Sequence, residues 1–150
     1  MEYIHELFDR INELPTLTER KEELAKHINR PAVRALLKLA YDKSVDVMLP
    51  DSEPPYKPSD LAEGLTETRL DNEARRFDVF IRGWGYDNLR QTKRESLFIG
   101  ILEGLHAREA KIMVECFQHK YRLKGMTTPD INEVFGWDIP YRSRKKENVE

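Results

Sequence analysis

The chain has 150 residues, of which 35% are charged and 39% hydrophobic, with a net charge of −2 and one cysteine. That length suits a single domain able to bury a core, and the composition fits a small helical protein with solvated faces. Cys116 alone excludes an internal disulfide, and no apolar run of about 18 residues is present to span a membrane. The acidic, amphipathic start from Met1 to Leu7 does not read as a signal peptide. Charge is uneven: residues 1–75 carry 11 Lys/Arg against 16 Asp/Glu, and residues 76–150 carry 14 against 11. The second half can therefore present a basic face, although the excess is too mild to demand nucleic acid.

Ile4, Leu7, Phe8, Ile11 and Leu14 have helical spacing, and Pro15 ends that helix. Thr16 to Glu19 has capping-box spacing, with Thr18 a rival cap, and opens a second helix through Leu24, Ala25 and Ile28. Pro31 suits the first position of a third helix that buries Val33, Leu36, Leu37 and Ala40. Val45 to Leu49 reads as a brief extended piece without a partner strand. From Pro50 to Gly64, four prolines in nine residues exclude helix and favour polyproline-like extension. This stretch is either an ordered surface crossover or a docking loop centred on Tyr56.

A fourth helix is expected from about Thr66 to Arg82, with Leu70, Ala74, Phe77 and Ile81 inward and Gly83 as its stop. Trp84 and Tyr86 then occupy a turn, and Asp87 or Asn88 can cap a helix bearing Leu97, Phe98, Ile101, Leu102 and Leu105. That broad stripe marks it as the central helix of the core. Gly100 and Gly104, on one face, permit close approach of a neighbouring backbone. The helix breaks near Leu105–His106, and Glu109 favours a new N-terminus beyond. Ala110, Met113, Val114 and Phe117 face the core from this sixth helix. Thr128-Pro129-Asp130 opens a last helix through Phe135, stopped by Gly136. The expected fold is all-α: a single compact domain over residues 1–140 with about six to seven short helices and a proline-rich crossover at 50–64. Residues 141–150 read as a charged, flexible tail.

Catalytic signals are absent. Cys116 and His119 have Cys-x-x-His spacing, but His5, His27 and His106 lie far off in sequence, so no metal set is expected. No serine sits on a nucleophile elbow, and no glycine motif resembles a phosphate loop. The stronger functional signal is basic residues interleaved with aromatics. Arg90, Lys93 and Arg94 open the central helix; Lys120, Arg122 and Lys124 alternate around Tyr121; Arg142 and Arg144 follow Trp137 and Tyr141. Such sets can neutralise phosphates and stack on bases, or simply form a solvated surface. Tyr56, Trp84 and Tyr86 are candidate aromatic anchors for a protein partner.

The run Lys93-Arg94-Glu95 with Leu97-Phe98-Ile99, Leu102-Glu103, Leu105-His106 and Glu109-Ala110 resembles an uncharacterised family of small proteins of large contractile-tailed bacteriophages and their marine, cyanophage-type relatives. Pro54-Pro55-Tyr56, Glu63-Gly64, Lys124-Gly125 and Phe135-Gly136-Trp137 belong to the same resemblance, which covers most of the chain. Thr92, Ser96 and Trp84-Gly85-Tyr86 depart from it locally. The resemblance implies a viral protein of the host cytoplasm and brings no assigned chemistry, catalytic residue or cofactor. We therefore expect a non-enzymatic accessory protein that binds a viral or host protein, or a nucleic acid, of replication or transcription. The alternative is a virion or assembly component.

Overall fold

The computed structural model describes residues 2–141, and among them are seven α-helices and no β-strand. They are α1 (Ile4–Glu13), α2 (Leu17–Ala25), α3 (Pro31–Tyr41), α4 (Leu70–Glu73), α5 (Gln91–Gly104), α6 (Ala107–Phe117) and α7 (Thr128–Phe135), with a 3-10 helix at Ala74–Phe80 between α4 and α5. No helix among them is long and apolar enough to cross a membrane. The charged tail expected at 141–150 lies almost wholly outside the described residues.

Local signals place most boundaries. Thr16 caps α2 by accepting the Glu19 N–H, Pro31 opens α3, and Thr127 with Asp130 forms a capping box on α7. Gly136 closes α7 at φ 71°, where a side chain would be strained. The core is centred on α3 and α6. Helix α3 also packs against α4, the 3-10 helix and α7, and α6 also meets α5 and α1. Helix α5 is therefore not the centre, despite its broad stripe. It buries Phe98, Ile101 and Leu102, and Phe98 joins Phe80 and Phe117 in an edge-to-face cluster.

Three expectations about local structure change. The single helix anticipated over Thr66–Arg82 is instead irregular, non-helical chain to Arg69, one turn of α4, and the 3-10 helix. Residues 66–69 are drawn away from helix because the Thr68 N–H donates to the Gly104 carbonyl at 3.1 Å. The 3-10 turn stacks positions i and i+3, which buries Phe77 and Phe80 together. Second, Val45–Leu49 does have a partner: Val47 bridges Ile81, with Met48 N–H to the Phe80 carbonyl and Arg82 N–H to the Asp46 carbonyl, both 2.8 Å. Third, Asp87 does not cap α5. Its carboxylate accepts the Gly83 N–H at 2.7 Å and closes the Trp84 turn. Helix α2 also stops before Ile28.

Of the two α5 glycines, only Gly104 serves close packing. A Cβ there would lie 3.3 Å from Thr68 Cγ2, whereas nothing approaches Gly100. Glu109 does more than favour the start of its own helix. It is wholly buried, and its two oxygens accept the N–H groups of Ile4 at 2.9 Å and Leu70 at 3.0 Å, the first residues of α1 and α4. One carboxylate thus meets two helix N-termini, where unpaired N–H groups and the helix dipoles favour negative charge. Beside it, Arg30 grips Asp71 with bonds of 2.7 and 2.6 Å, joining α3 to α4.

Glu109→Ala is expected to lower the urea-unfolding free energy by about 2–4 kcal/mol, because it leaves two buried N–H groups unpaired. Glu109→Gln, which keeps one acceptor oxygen but turns an amide donor towards the other N–H, should recover only part. An alanine variant as stable as the parent would refute this role.

Candidate functional site

The segment from Gln118 to Thr127, between α6 and α7, is held at nearly every turn. His119 adopts a left-handed conformation, φ 59°, and its Nδ1 lies 2.6 Å from the Leu39 carbonyl. A carbonyl only accepts, so Nδ1 carries the proton and Nε2 is the acceptor nitrogen. The Tyr41 hydroxyl donates to the Met126 carbonyl at 3.0 Å and accepts the Leu123 N–H at 3.1 Å. Burial pushes the Tyr41 pKa up to about 12, which keeps the hydroxyl protonated for this role. Arg122 donates to the Ala40 and Tyr121 carbonyls and lies over the Tyr41 ring. Gly125, at φ 70°, has the Arg20 guanidinium 3.2 Å from where a Cβ would stand, and Arg20 donates to the Lys124 carbonyl.

On this rigid loop Lys120, Arg122 and Lys124 are exposed. None of the three has a carboxylate partner among the described residues. Tyr121 is not available for stacking on a ligand, because its ring stacks on Phe8 with centroids 5.4 Å apart. Trp137 is likewise occupied: it stacks on Phe135 at 4.2 Å, with Arg34 and Lys38 over its ring.

The α5 candidates divide. Arg90 and Lys93 are exposed at the start of the helix. Arg94 is only 2% exposed and is spent inside the protein, donating to the carbonyls of Val79 and Tyr86. Trp84 (50% exposed) and Tyr86 (47%) stand out from their turn, whereas Tyr56 is half-buried against the core. Arg142 and Arg144 lie outside the described residues.

Two features escaped the sequence. The first is a cleft of about 550 Å³ between residues 43–55 and the facing ends of α5 and α6. Val45, Val47 and Leu49 form one wall, and Phe98, Ile99 and Phe117 form the other. Lys43 and His119 also line it. Its size and mixed lining suit a small ligand or an inserted side chain. The alternation in Val45-Asp46-Val47 was the available signal, but the opposing wall comes from residues about fifty positions away.

The second is a trio. His5 on α1 and His106, which precedes α6, stack with centroids 4.4 Å apart and 14° between planes. Both Nε2 atoms approach one oxygen of Glu63, at 3.0 Å from His5 and 3.3 Å from His106. The trio is the only cluster of its kind among the described residues whose donor atoms all lie within 4.8 Å of one another. Its hydrogen bonds do not favour a metal. The Glu63 carboxylate accepts from the His5 Nε2–H, and His106 Nδ1 accepts the Arg108 N–H at 3.1 Å as the cap of α6. A metal on both Nε2 atoms would need protons on both Nδ1 atoms. His106 Nδ1 faces an N–H donor, and His5 Nδ1 is buried without a partner.

Cys116 is fully buried, and burial pushes its thiol well above the ordinary range. The Ser44 hydroxyl is bonded to Asp42 at 2.5 Å.

The chain belongs to a family of unknown function, DUF6433, whose model matches residues 9–122. That span includes Glu63, His106 and both walls of the cleft, and it ends inside the basic loop. No curated protein and no solved structure matches the chain.

The left-handed backbone of His119 gives a test of how the loop is held. His119→Gly should be close to neutral in thermal unfolding, since about 1–2 kcal/mol of conformational relief offsets the lost bond to Leu39. His119→Ala loses that bond with no relief and should be clearly less stable. If the two variants melt alike, the strain assigned to His119 is wrong.

Proposed function

We propose that this protein is a non-enzymatic accessory protein that binds nucleic acid through the loop between α6 and α7, by contact with phosphates. The observation that supports it is the loop itself: three cations within five residues, on a backbone pinned by Tyr41, Asn12, Arg20 and Leu39, with no carboxylate paired to them among the described residues. Many other cations of the chain are paired, such as Arg10 with Glu2 and Glu23, and Arg108 with Asp9. A fixed backbone lowers the ordering cost of binding, and unpaired cations displace the counterions of a phosphate chain. Because Tyr121 and Trp137 are engaged in the fold, recognition by base stacking has less support than sequence-independent contact with the backbone. The setting that goes with this reading is the cytoplasm of a phage-infected host, on the strength of the sequence resemblance.

Fluorescence anisotropy with a labelled duplex oligonucleotide tests it. Three phosphate contacts should give a slope of about −2.7 in log affinity against log salt. Lys120→Ala with Lys124→Ala should flatten that slope by about two units. Absence of binding at low salt, or an unchanged slope in the double variant, would reject the proposal.

A further inference from the structure

The proline-rich crossover returns to the body of the protein at Glu63 to Thr68, and what holds it there is largely polar. The Gly64 N–H donates to the Tyr3 hydroxyl at 2.6 Å, the same hydroxyl lies 3.1 Å from Thr66 Oγ1, and the Thr68 N–H reaches the Gly104 carbonyl. Leu61 and Leu65 are exposed and contribute little burial. Glu63 is the one acidic side chain of this return that reaches into the protein, onto the stacked pair of His5 and His106.

We propose that His5, Glu63 and His106 form an acid-sensitive latch, which holds the return of the crossover against α1 and α6 while the His5 imidazole is neutral and releases it when His5 is protonated. The reason is where a proton would have to go. The His5 Nε2 already carries the hydrogen it donates to Glu63, so protonation of His5 must occur at Nδ1. That atom is sealed, because the residue is 2% exposed and Nδ1 has no partner. A positive charge on His5 would also lie face to face with the His106 ring at 4.4 Å, on the side where Arg108 already opposes it.

The charged surroundings act in both directions. Glu63 favours protonation of His5, whereas His106 and Arg108 oppose it, Arg108 being paired with Asp9 of α1. Arg69 lies over the Tyr3 ring next to the pair, 3.9 Å from its centroid. Burial, the largest influence, holds the His5 pKa below its ordinary value of 6.5. The released form therefore binds more protons than the latched form, so the latch is fully stable above the ordinary pKa and weakens as pH falls below it.

Amide hydrogen exchange on the full chain, read by NMR at about pH 7.5 and about pH 5.5, spans the ordinary histidine pKa. After correction for intrinsic rates, protection of the Gly64 and Thr68 amides should fall about tenfold or more at the lower pH, while core amides of α3 keep theirs. His5→Gln with His106→Asn keeps a donor at the first position and a capping oxygen at the second but cannot be protonated, and should abolish the pH dependence. Glu63→Ala, at an exposed position, should leave Gly64 and Thr68 poorly protected at both pH values. The proposal is overturned if wild-type protection does not change, if the double variant responds equally, if the core amides fall in parallel, or if Glu63→Ala keeps full protection.

Discussion

The carboxylate of Glu109 is the constraint on which the rest of the fold depends. It is fully buried, on the first turn of α6, and accepts the leading N–H groups of α1 and α4. Those helices are far apart in sequence, so one side chain brings three distant segments to one point. Burial raises its pKa and the two backbone bonds oppose that rise. Desolvation therefore costs part of what the hydrogen bonds contribute. An apolar residue of the same size would fill the space and leave both helix starts without partners.

The path of the crossover follows from that arrangement. With α1 and α4 starting at the same carboxylate, the chain between α3 and α4 must end where α1 begins. It arrives there as a run of turns and bends beside Tyr3, His5 and His106, and packs closely enough on Gly104 that a side chain would crowd Thr68. Its earlier part, residues 43–55, crosses the facing ends of α5 and α6 and covers the cleft without filling it. The same stretch is thus a wall at one end and a latched strap at the other. The basic loop follows directly from the far end of α6, next to the cleft through His119. Its backbone is fixed by groups of α1, α2 and α3, Arg122 turns back onto the Ala40 carbonyl and the Tyr41 ring, and Lys120 and Lys124 face solvent.

Much of this was legible in the sequence, because it depends on short-range chemistry. Pro15, Thr16, Pro31, Thr128-Pro129-Asp130 and Gly136 act within a turn of where they stand, and each boundary falls at or next to these residues. Apolar spacing likewise identified the buried faces of α1, α3, α6 and α7. Spacing failed where two structures bury the same residues. Leu70, Phe77 and Ile81 satisfy a continuous helix, yet the pull of Gly104 on Thr68 and the bridge from Val47 to Ile81 replace it with a short helix and a 3-10 turn. Cations were also read as equivalent when they are not: Arg94 looks like its neighbour Lys93 in sequence, but only Arg94 meets the carbonyls of Val79 and Tyr86.

By itself, then, the sequence determined an all-α domain, most of its helix ends, the extended crossover and the presence of a cationic segment after α6, since propensity, capping and periodicity are local. Only the tertiary structure decided that Glu109 joins two other helices, that His5 and His106 stack on Glu63, and which cations remain unpaired. Those facts rest on contacts between residues separated by 39 to 105 positions, as in Leu70 with Glu109 and Ile4 with Glu109. Pairing across such distances is set by how the helices pack, and no local pattern encodes it.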